Sequence, residues 1–493
     1  MEIAAPLAAA EVDWTAEADV IVLGLGAAGV AAALEAHGAG AEVLVVERAG
    51  AGGGASGASE GIFYLGGGTT LQRDLGYDDT PENLYAFLRA STSTPDDDAL
   101  RAFCDGAAEH FDWLERHGVP FERKAFTKKA VAVRTGEGLL TTGNEKLLEF
   151  SDAADPVPRG HQTRGGGEIR GGVFAMEALL AAVDAAGIEV RYETSAIGFV
   201  VDDCTVGDGS VADGGAVVGV QVRTAGEAQW LRARRGVVVA TGSFNLNAEM
   251  CAEHLAVVAA NGRPLGTDAN DGAGLLMGET VGVGTRGMDG VIATSSIYPP
   301  EDLIFGIVVN AGGERFVAED SYHGRTAHAI ERQPDQRAWL LVDEAHFAYP
   351  ERQQPLVDAF ESAADLEAAL GLPVGSVERT VAAYNDGVAA GCDPLGKHPS
   401  WMAPLDFPLA AFDLSFDVAE YSYISLGGLT ADSWGRALDA DGAVVPGLYA
   451  VGAVAAHLPM NGDEYASGLS LGPGTFFGRR AGRHAATCGR VDA

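Results

Sequence analysis

The first strong pattern along the chain is a continuous apolar run, Ala18–Val22, followed by glycines at 24, 26 and 29 and an alanine-rich stretch ending near His37. A second apolar run, Glu42–Val46, stops at Glu47. Short apolar runs bounded by glycine read as buried strands, and the stretch between them is long enough for a helix. The opening of the chain therefore predicts strand, tight turn, helix, strand. Residues Gly50–Thr70 are mostly Gly, Ser and Ala and predict a loop; helices are expected around Pro81–Ala90, Asp96–His117 and Val173–Ala186. Valine-rich strands follow at Glu189–Tyr192, Ala196–Val201, Ala216–Arg223 and Gly236–Ala240. From Met288 to Pro404 the character changes to aromatics and prolines, ending in Pro394, Pro399, Pro404 and Pro408. A strand signal returns at Gly447–Val451, and a last helix is expected from Gly474 to about Thr487. The order predicts an α/β fold, with a first domain (1–287 and 405–493) interrupted by an inserted α+β cap (288–404).

Composition narrows the partners. With 493 residues, 47% of them hydrophobic, the chain can bury a large core. Its 33 basic against 69 acidic residues give a formal charge of −36, which repels phosphate backbones and anionic lipid and argues against nucleic acid or membrane insertion. An anionic substrate would need a local cationic pocket. Cys104, Cys204, Cys251, Cys392 and Cys488 are scattered without a CxxC pair, so neither a disulfide framework nor a metal site is expected. The first fourteen residues lack a basic region and carry Glu2, Glu11 and Asp13, and no apolar run reaches the ~18 residues of a membrane span. A cytoplasmic protein is expected.

The chemistry starts at Gly24-Leu-Gly-Ala-Ala-Gly29, a GxGxxG that follows a strand and opens a helix, with Glu47 placed 23 residues past Gly24. Gly24 makes the turn, Gly26 lets a pyrophosphate approach the backbone, Gly29 permits close helix–sheet packing, and Glu47 can accept a ribose hydroxyl. This is a Rossmann-type dinucleotide-binding unit. Two further strand-then-glycine segments, Gly236–Phe244 and Pro446–Gly452, and Asp271-Gly-Ala-Gly274 resemble the later flavin motifs of the fumarate reductase/succinate dehydrogenase flavoprotein superfamily. The resemblance runs from about Ala18 to His484 and implies FAD as cofactor. Carried over by motif, it implies FAD contacts at Gly24, Gly26, Ala28 and Gly29, at Glu47 and Arg48, and in the Gly/Ser loop at Ser56, Ser59 and Gly61. It further implies contacts at Ala240, Thr241 and Gly242, at Asp271, at Gly452, and at Ser470 and Leu471. Superfamily members that bind flavin covalently commonly use a His in that loop; none lies between Arg48 and Glu109, so non-covalent FAD is expected. Ala453 stands where an acid often follows the third motif.

The dicarboxylate reductases of this superfamily hold their substrates with cations. At the corresponding positions this chain has Ile424, Tyr465, and Tyr322 or His323, which makes succinate or fumarate a poor substrate. Instead, Ser321-Tyr-His-Gly-Arg325, the block from Asn461 to Gly472, and Tyr64–Thr69 resemble the 3-ketosteroid Δ4-(5α)-dehydrogenases. That resemblance implies an active site of Tyr322, Tyr465 and Ser467. Removing an acidic α-proton and passing a β-hydride to flavin N5 suits a neutral Tyr/Ser relay beside an apolar ketone. Tyr465 is expected to relay the proton with Ser467, and the amides of Gly472 and Gly474, with His323 nearby, to face the substrate oxygen. No nicotinamide motif is evident, so an external electron acceptor is expected. The alternative is an ene-reductase of the fumarate/acrylate type, whose signature would be a cationic carboxylate clamp. Arg315 and Glu319 read as a structural ion pair of the cap.

Overall fold

The computed structural model describes residues 3–164, 170–202, 206–207, 210–211, 215–352 and 354–488; Cys204 lies outside them. At its centre five parallel strands run in the order Glu189–Arg191, Val43–Val46, Ala16–Leu23, the second half of Glu227–Val239, and Val444–Ala450. The strands are short and apolar because both faces are covered. Val20, Val22, Val43 and Val45 belong to one core, Ile21, Leu23, Leu44 and Val46 to another. Strand Glu227–Val239 is longer than the sequence suggested. Its first half forms a hairpin with Val217–Thr224, which pairs in turn with Thr194–Val201. Helix Ala27–Gly38 covers one face and is itself crossed by the last helix, Leu471–Cys488. A Cβ on Gly478 would lie 2.4 Å from the Ala28 carbonyl oxygen, and one on Gly482 2.1 Å from that of Ala32, so the two helices touch backbone to backbone.

The Gly50–Thr70 stretch is not all loop. It contains a short helix, Gly54–Gly57, and a buried strand, Ile62–Tyr64, that pairs with Gly160–Gln162. The three consecutive apolar residues 62–64 carried that signal amid the glycines.

Residues between 307 and 413 supply a four-stranded antiparallel sheet in the order Ile307–Asn310, Ala338–Asp343, Leu409–Asp413, Leu356–Phe360. Successive side chains alternate between faces. Ile307, Val309, Trp339 and Leu341 pack with residues of helices Ala363–Leu370 and Ser376–Ala390, while Val308, Leu340, Val342 and Phe412 join the core under the main sheet. Strand Leu409–Asp413 of this sheet lies beyond the Pro404 boundary expected of the cap. A buried network of Arg315, Glu319, Asp393 and Lys397 braces it, with Arg315–Glu319 at 2.7 Å and Lys397–Glu319 at 3.2 Å. Between the two halves lies a small sheet of Gly262–Pro264, Tyr421–Ser425 and Val291–Thr294. No helix among the described residues is long and apolar enough to cross a membrane.

Candidate active site

A cavity of about 910 Å³, near the upper end of the ~300–1,000 Å³ usual for ligand pockets, opens at the carboxyl ends of the central strands and runs to the cap. One end is made of backbone. Gly24 has φ +102°, and a Cβ there would meet the Ala240 carbonyl oxygen at 2.5 Å, so the turn accepts only glycine. Gly26 is different: its φ is −80°, and a Cβ would meet nothing nearer than Ser56 Oγ at 3.7 Å. The protein itself leaves room for a side chain there, so a side chain at position 26 would take its space from the cavity and not from the fold. Ser56 Oγ accepts from the Ala27 amide at 3.2 Å, at the start of the helix. Glu47 is buried and accepts from the amides of Leu25 (2.7 Å) and Ala49 (2.8 Å), which fixes its carboxylate at the end of the second strand. Arg48 pairs with Asp271 at 2.7 Å, and Asp271 also accepts from the Ala273 amide at 3.1 Å. Thr241 Oγ1 is buried without a hydrogen-bond partner among the described residues. It packs against the helix start at Gly274, where a Cβ would lie 2.0 Å from it.

The other end is made of side-chain hydroxyls. Tyr322 immediately precedes cap helix His323–Glu331, whereas Tyr465, Ser467 and Ser470 come from the loop leading into the last helix. Tyr322 Oη and Ser467 Oγ are 3.0 Å apart, and Tyr465 Oη and Ser470 Oγ 2.8 Å. The two rings lie 6.2 Å apart between centroids. Burial pushes both phenols up, Tyr322 well above its ordinary value, so both are neutral. His323 Nδ1 shares a 2.6 Å hydrogen bond with Thr294 Oγ1. Burial, helped by the charges of Arg352 and Lys129, holds this imidazole down to about 3.

A third segment brings the two loops together. The Tyr322 amide donates to Asn144 Oδ1 (2.7 Å), and Asn144 Nδ2 donates to the Asp463 carbonyl (3.3 Å). Thr142 Oγ1 donates to the Ser467 carbonyl (3.0 Å), and the Ser467 amide returns a bond to the Thr142 carbonyl (3.3 Å). Tyr64 Oη donates to Glu145 Oε1 at 2.9 Å, anchoring the strap from below.

Most of the expected residues line this one cavity: Gly24, Gly26, Ala28, Glu47 and Arg48; Ser56 and Ser59; Ala240, Thr241, Gly242 and Asp271; Gly452, Ser470, Leu471 and Gly474; and Tyr322, His323, Tyr465 and Ser467. Gly29, Gly61 and Gly472 do not; each is pressed against neighbouring backbone, with Cβ positions only 2.0, 2.3 and 2.3 Å from it. Two expectations are corrected. The hydroxyl partner of Ser467 is Tyr322 rather than Tyr465, because the turn from Ser467 to Leu471 brings Ser470 under the Tyr465 ring. The amides of Gly472 and Gly474 are not free, because the last helix starts at Leu471 and they donate to the carbonyls of Gly468 (2.9 Å) and Ser470 (3.2 Å). The sequence reading missed Thr294, Asn144, Thr142 and the lining residues Arg263, Arg352, Ser422 and His457. None sits in a glycine motif; a Thr-Thr-Gly-Asn turn (141–144) was the only local hint of the strap.

The strand–glycine–helix cleft and its lining define a dinucleotide-type flavin site. The family described as FAD binding domain matches residues 19–471, and the chain belongs to it. It is an FAD-dependent oxidoreductase of the fumarate reductase/succinate dehydrogenase flavoprotein superfamily. The chain is similar, at 36% identity and a TM-score of 0.90, to the crystal structure of 3-ketosteroid-Δ4-(5α)-dehydrogenase from Rhodococcus jostii RHA1 in complex with 4-androstene-3,17-dione, covering 98% of this chain and all of that one. It is also 28% identical over 376 residues to the 3-oxo-5-alpha-steroid 4-dehydrogenase of Comamonas testosteroni, 68% of each chain. A probable fumarate reductase, Ifc3, of Shewanella frigidimarina is 25% identical over 492 residues, 95% of this chain and 74% of the relative.

Proposed function

We propose that the protein dehydrogenates the carbon–carbon bond next to the ketone of a 3-ketosteroid, in the Δ4-(5α) manner, and passes the electrons to an external acceptor. The observation that carries this reading is the pair of neutral hydroxyl couples, Tyr322···Ser467 and Tyr465···Ser470, facing the same cavity as the FAD cleft. The strand-end glycines, Ser56, Glu47, Arg48, Thr241 and Ser470 would hold FAD, without a covalent bond, and bound FAD would supply the hydride acceptor.

The chain's own residues serve the other half of the reaction. The α-proton of a ketone leaves only if a base receives it while the carbonyl oxygen gains charge. Two phenols, each backed by its own serine, can divide these tasks: one hydroxyl takes the proton as it hands its own to its serine, which in turn releases its own proton to solvent water at the cavity, while the other donates to the forming enolate oxygen. Because both phenols are neutral and buried, neither task places a fixed charge beside an apolar substrate. His323, held neutral, orients the start of the cap helix without adding a cation. Ile424 and Tyr465 stand where a dicarboxylate reductase carries cations, so the reacting end offers no carboxylate clamp. The test is anaerobic bleaching of the bound flavin by saturated 3-ketosteroids. Bleaching by these compounds, and none by succinate, is expected; tight succinate binding or fumarate turnover by the reduced protein would overturn the reading.

A further inference from the structure

The wall of the cavity away from the central strands is the small sheet of Gly262–Pro264, Tyr421–Ser425 and Val291–Thr294. Its register places Arg263 beside Ser422 and Ser422 beside Thr294, one residue from each strand in a single row. Two residues along, Ile424 pairs with Ile292. All five side chains line the cavity, as the two-residue alternation of strands requires. The cavity wall is thus an apolar floor edged by a row that runs hydroxyl, hydroxyl, guanidinium.

The row also has a direction. At its near end Thr294 is bonded to His323, the neighbour of Tyr322. Strands lie about 4.8 Å apart, so Arg263 stands two spacings, roughly 10 Å, from Thr294. A fused four-ring skeleton whose ketone lies between the tyrosines is long enough to present its opposite end there.

The charges around the lining are unevenly committed. Glu47 is bound by amides, Glu60 pairs with Arg134 and Arg170, and Asp271 with Arg48. Arg263 and Arg352 also line the cavity, and among the described residues neither has an ion-pair partner. In a chain of formal charge −36, two uncommitted arginines on one cavity form the local cationic site that an anion would need.

We infer that Arg263 receives a carboxylate at the end of the substrate opposite its ketone, with Arg352 adding to the positive field of the cavity, so that the favoured substrates are 3-ketosteroids bearing an acidic side chain. The inference rests on the ketosteroid reading, which it deepens: the reductases' cations grip the reacting end, whereas Arg263 grips the end opposite the ketone.

The experiment compares a 3-ketosteroid with a side-chain carboxylate and its methyl ester as reductants of the FAD-loaded protein. The acid should have a KM lower by about tenfold, as a charge-assisted hydrogen bond would give, and added salt should narrow the gap. Arg263→Met should bring the acid-to-ester ratio close to one, and Arg352→Gln should reduce it. Equal KM values for acid and ester in the parent, or a ratio that survives both substitutions, overturns the inference. A parallel calorimetric titration uses the same carboxylic acid lacking the ketone. Binding weakened by Arg263→Met supports the anchor even if no ketosteroid bleaches the flavin, which separates failure of the anchor from failure of the ketosteroid reading. Binding unaffected by the substitution counts against it. Both side chains are exposed, so neither change disturbs packing.

Discussion

The two ends of the cavity are built by different means. At the FAD end the contacts come from backbone: a strand end, a turn that only Gly24 can make, a helix N-terminus, and a carboxylate fixed by two amides. Each part lies within about one βαβ unit of the next, so local sequence specifies it. At the hydroxyl end Tyr322, Ser467 and Asn144 are brought together from three separate stretches of chain, and the bond of interest, 3.0 Å between Tyr322 and Ser467, exists only if all three dock correctly. A backbone cradle needs only its neighbouring segments, while a relay assembled from distant segments depends on tertiary docking.

The largest expected effect breaks the first end alone. In Gly26→Val the protein should still fold, since a Cβ there meets only Ser56 Oγ at 3.7 Å, yet purify without its yellow colour. Gly24→Val should instead fail to fold, because its side chain would collide with the Ala240 carbonyl in a positive-φ turn. Soluble yield, circular dichroism and flavin absorbance distinguish the two outcomes; retained FAD in Gly26→Val would mean that the cofactor approaches elsewhere. Acid precipitation of the parent should leave all flavin in the supernatant.

The next effect divides the second end. Tyr465→Phe and Tyr322→Phe keep ring packing and remove one hydroxyl each. Flavin reduction by a saturated 3-ketosteroid should slow by roughly 100- to 10,000-fold in the variant that loses the proton acceptor. FAD content should be unchanged in both. A rate within a few-fold of the parent assigns that tyrosine to packing.

Asn144 sharpens the comparison further, because it touches the loops and not the substrate. Asn144→Ala releases the Tyr322 amide and the Asp463 carbonyl, and a misplacement of that kind is expected to cost up to about 100-fold in flavin reduction. If it acts through the Tyr322–Ser467 bond, its effect should shrink in a Ser467→Ala background. Additive losses in the double mutant would show that Asn144 only stabilises the fold.

The smallest effect concerns pH. His323 is displaced from an ordinary 6.5 to about 3 by burial, so the unfolded chain binds a proton at this site that the folded chain refuses. Stability contributed by neutral His323 is therefore present above pH 6.5 and is lost as pH falls from 6.5 towards 3. One such group adds at most ~1.4 kcal/mol per pH unit to acid destabilisation. Denaturant midpoints measured between pH 7 and pH 4 should fall less steeply in His323→Asn than in the parent; identical slopes would show that the imidazole takes up its proton without unfolding.

Local sequence by itself determined the strand, glycine turn and helix that open the central sheet and the place of Glu47 at the end of the next strand, whereas the two tyrosines and the serine were named only through a family resemblance. It could do so because apolar runs of strand length, a turn that excludes side chains, and a helix opening on glycine are short-range requirements. Only the tertiary structure decided which serine each tyrosine meets, since Ser467 and Ser470 lie three residues apart and the curl of the loop selects between them. The fold alone likewise occupied the Gly472 and Gly474 amides, by starting the last helix at Leu471. It also brought Thr142 and Asn144 under loops that lie hundreds of residues away, and set Arg263 in register with Thr294 through a strand that follows the inserted cap. Hydrogen bonds and strand register between distant segments leave no periodic trace in a single sequence, because neither partner carries a mark of the other until the chain has folded.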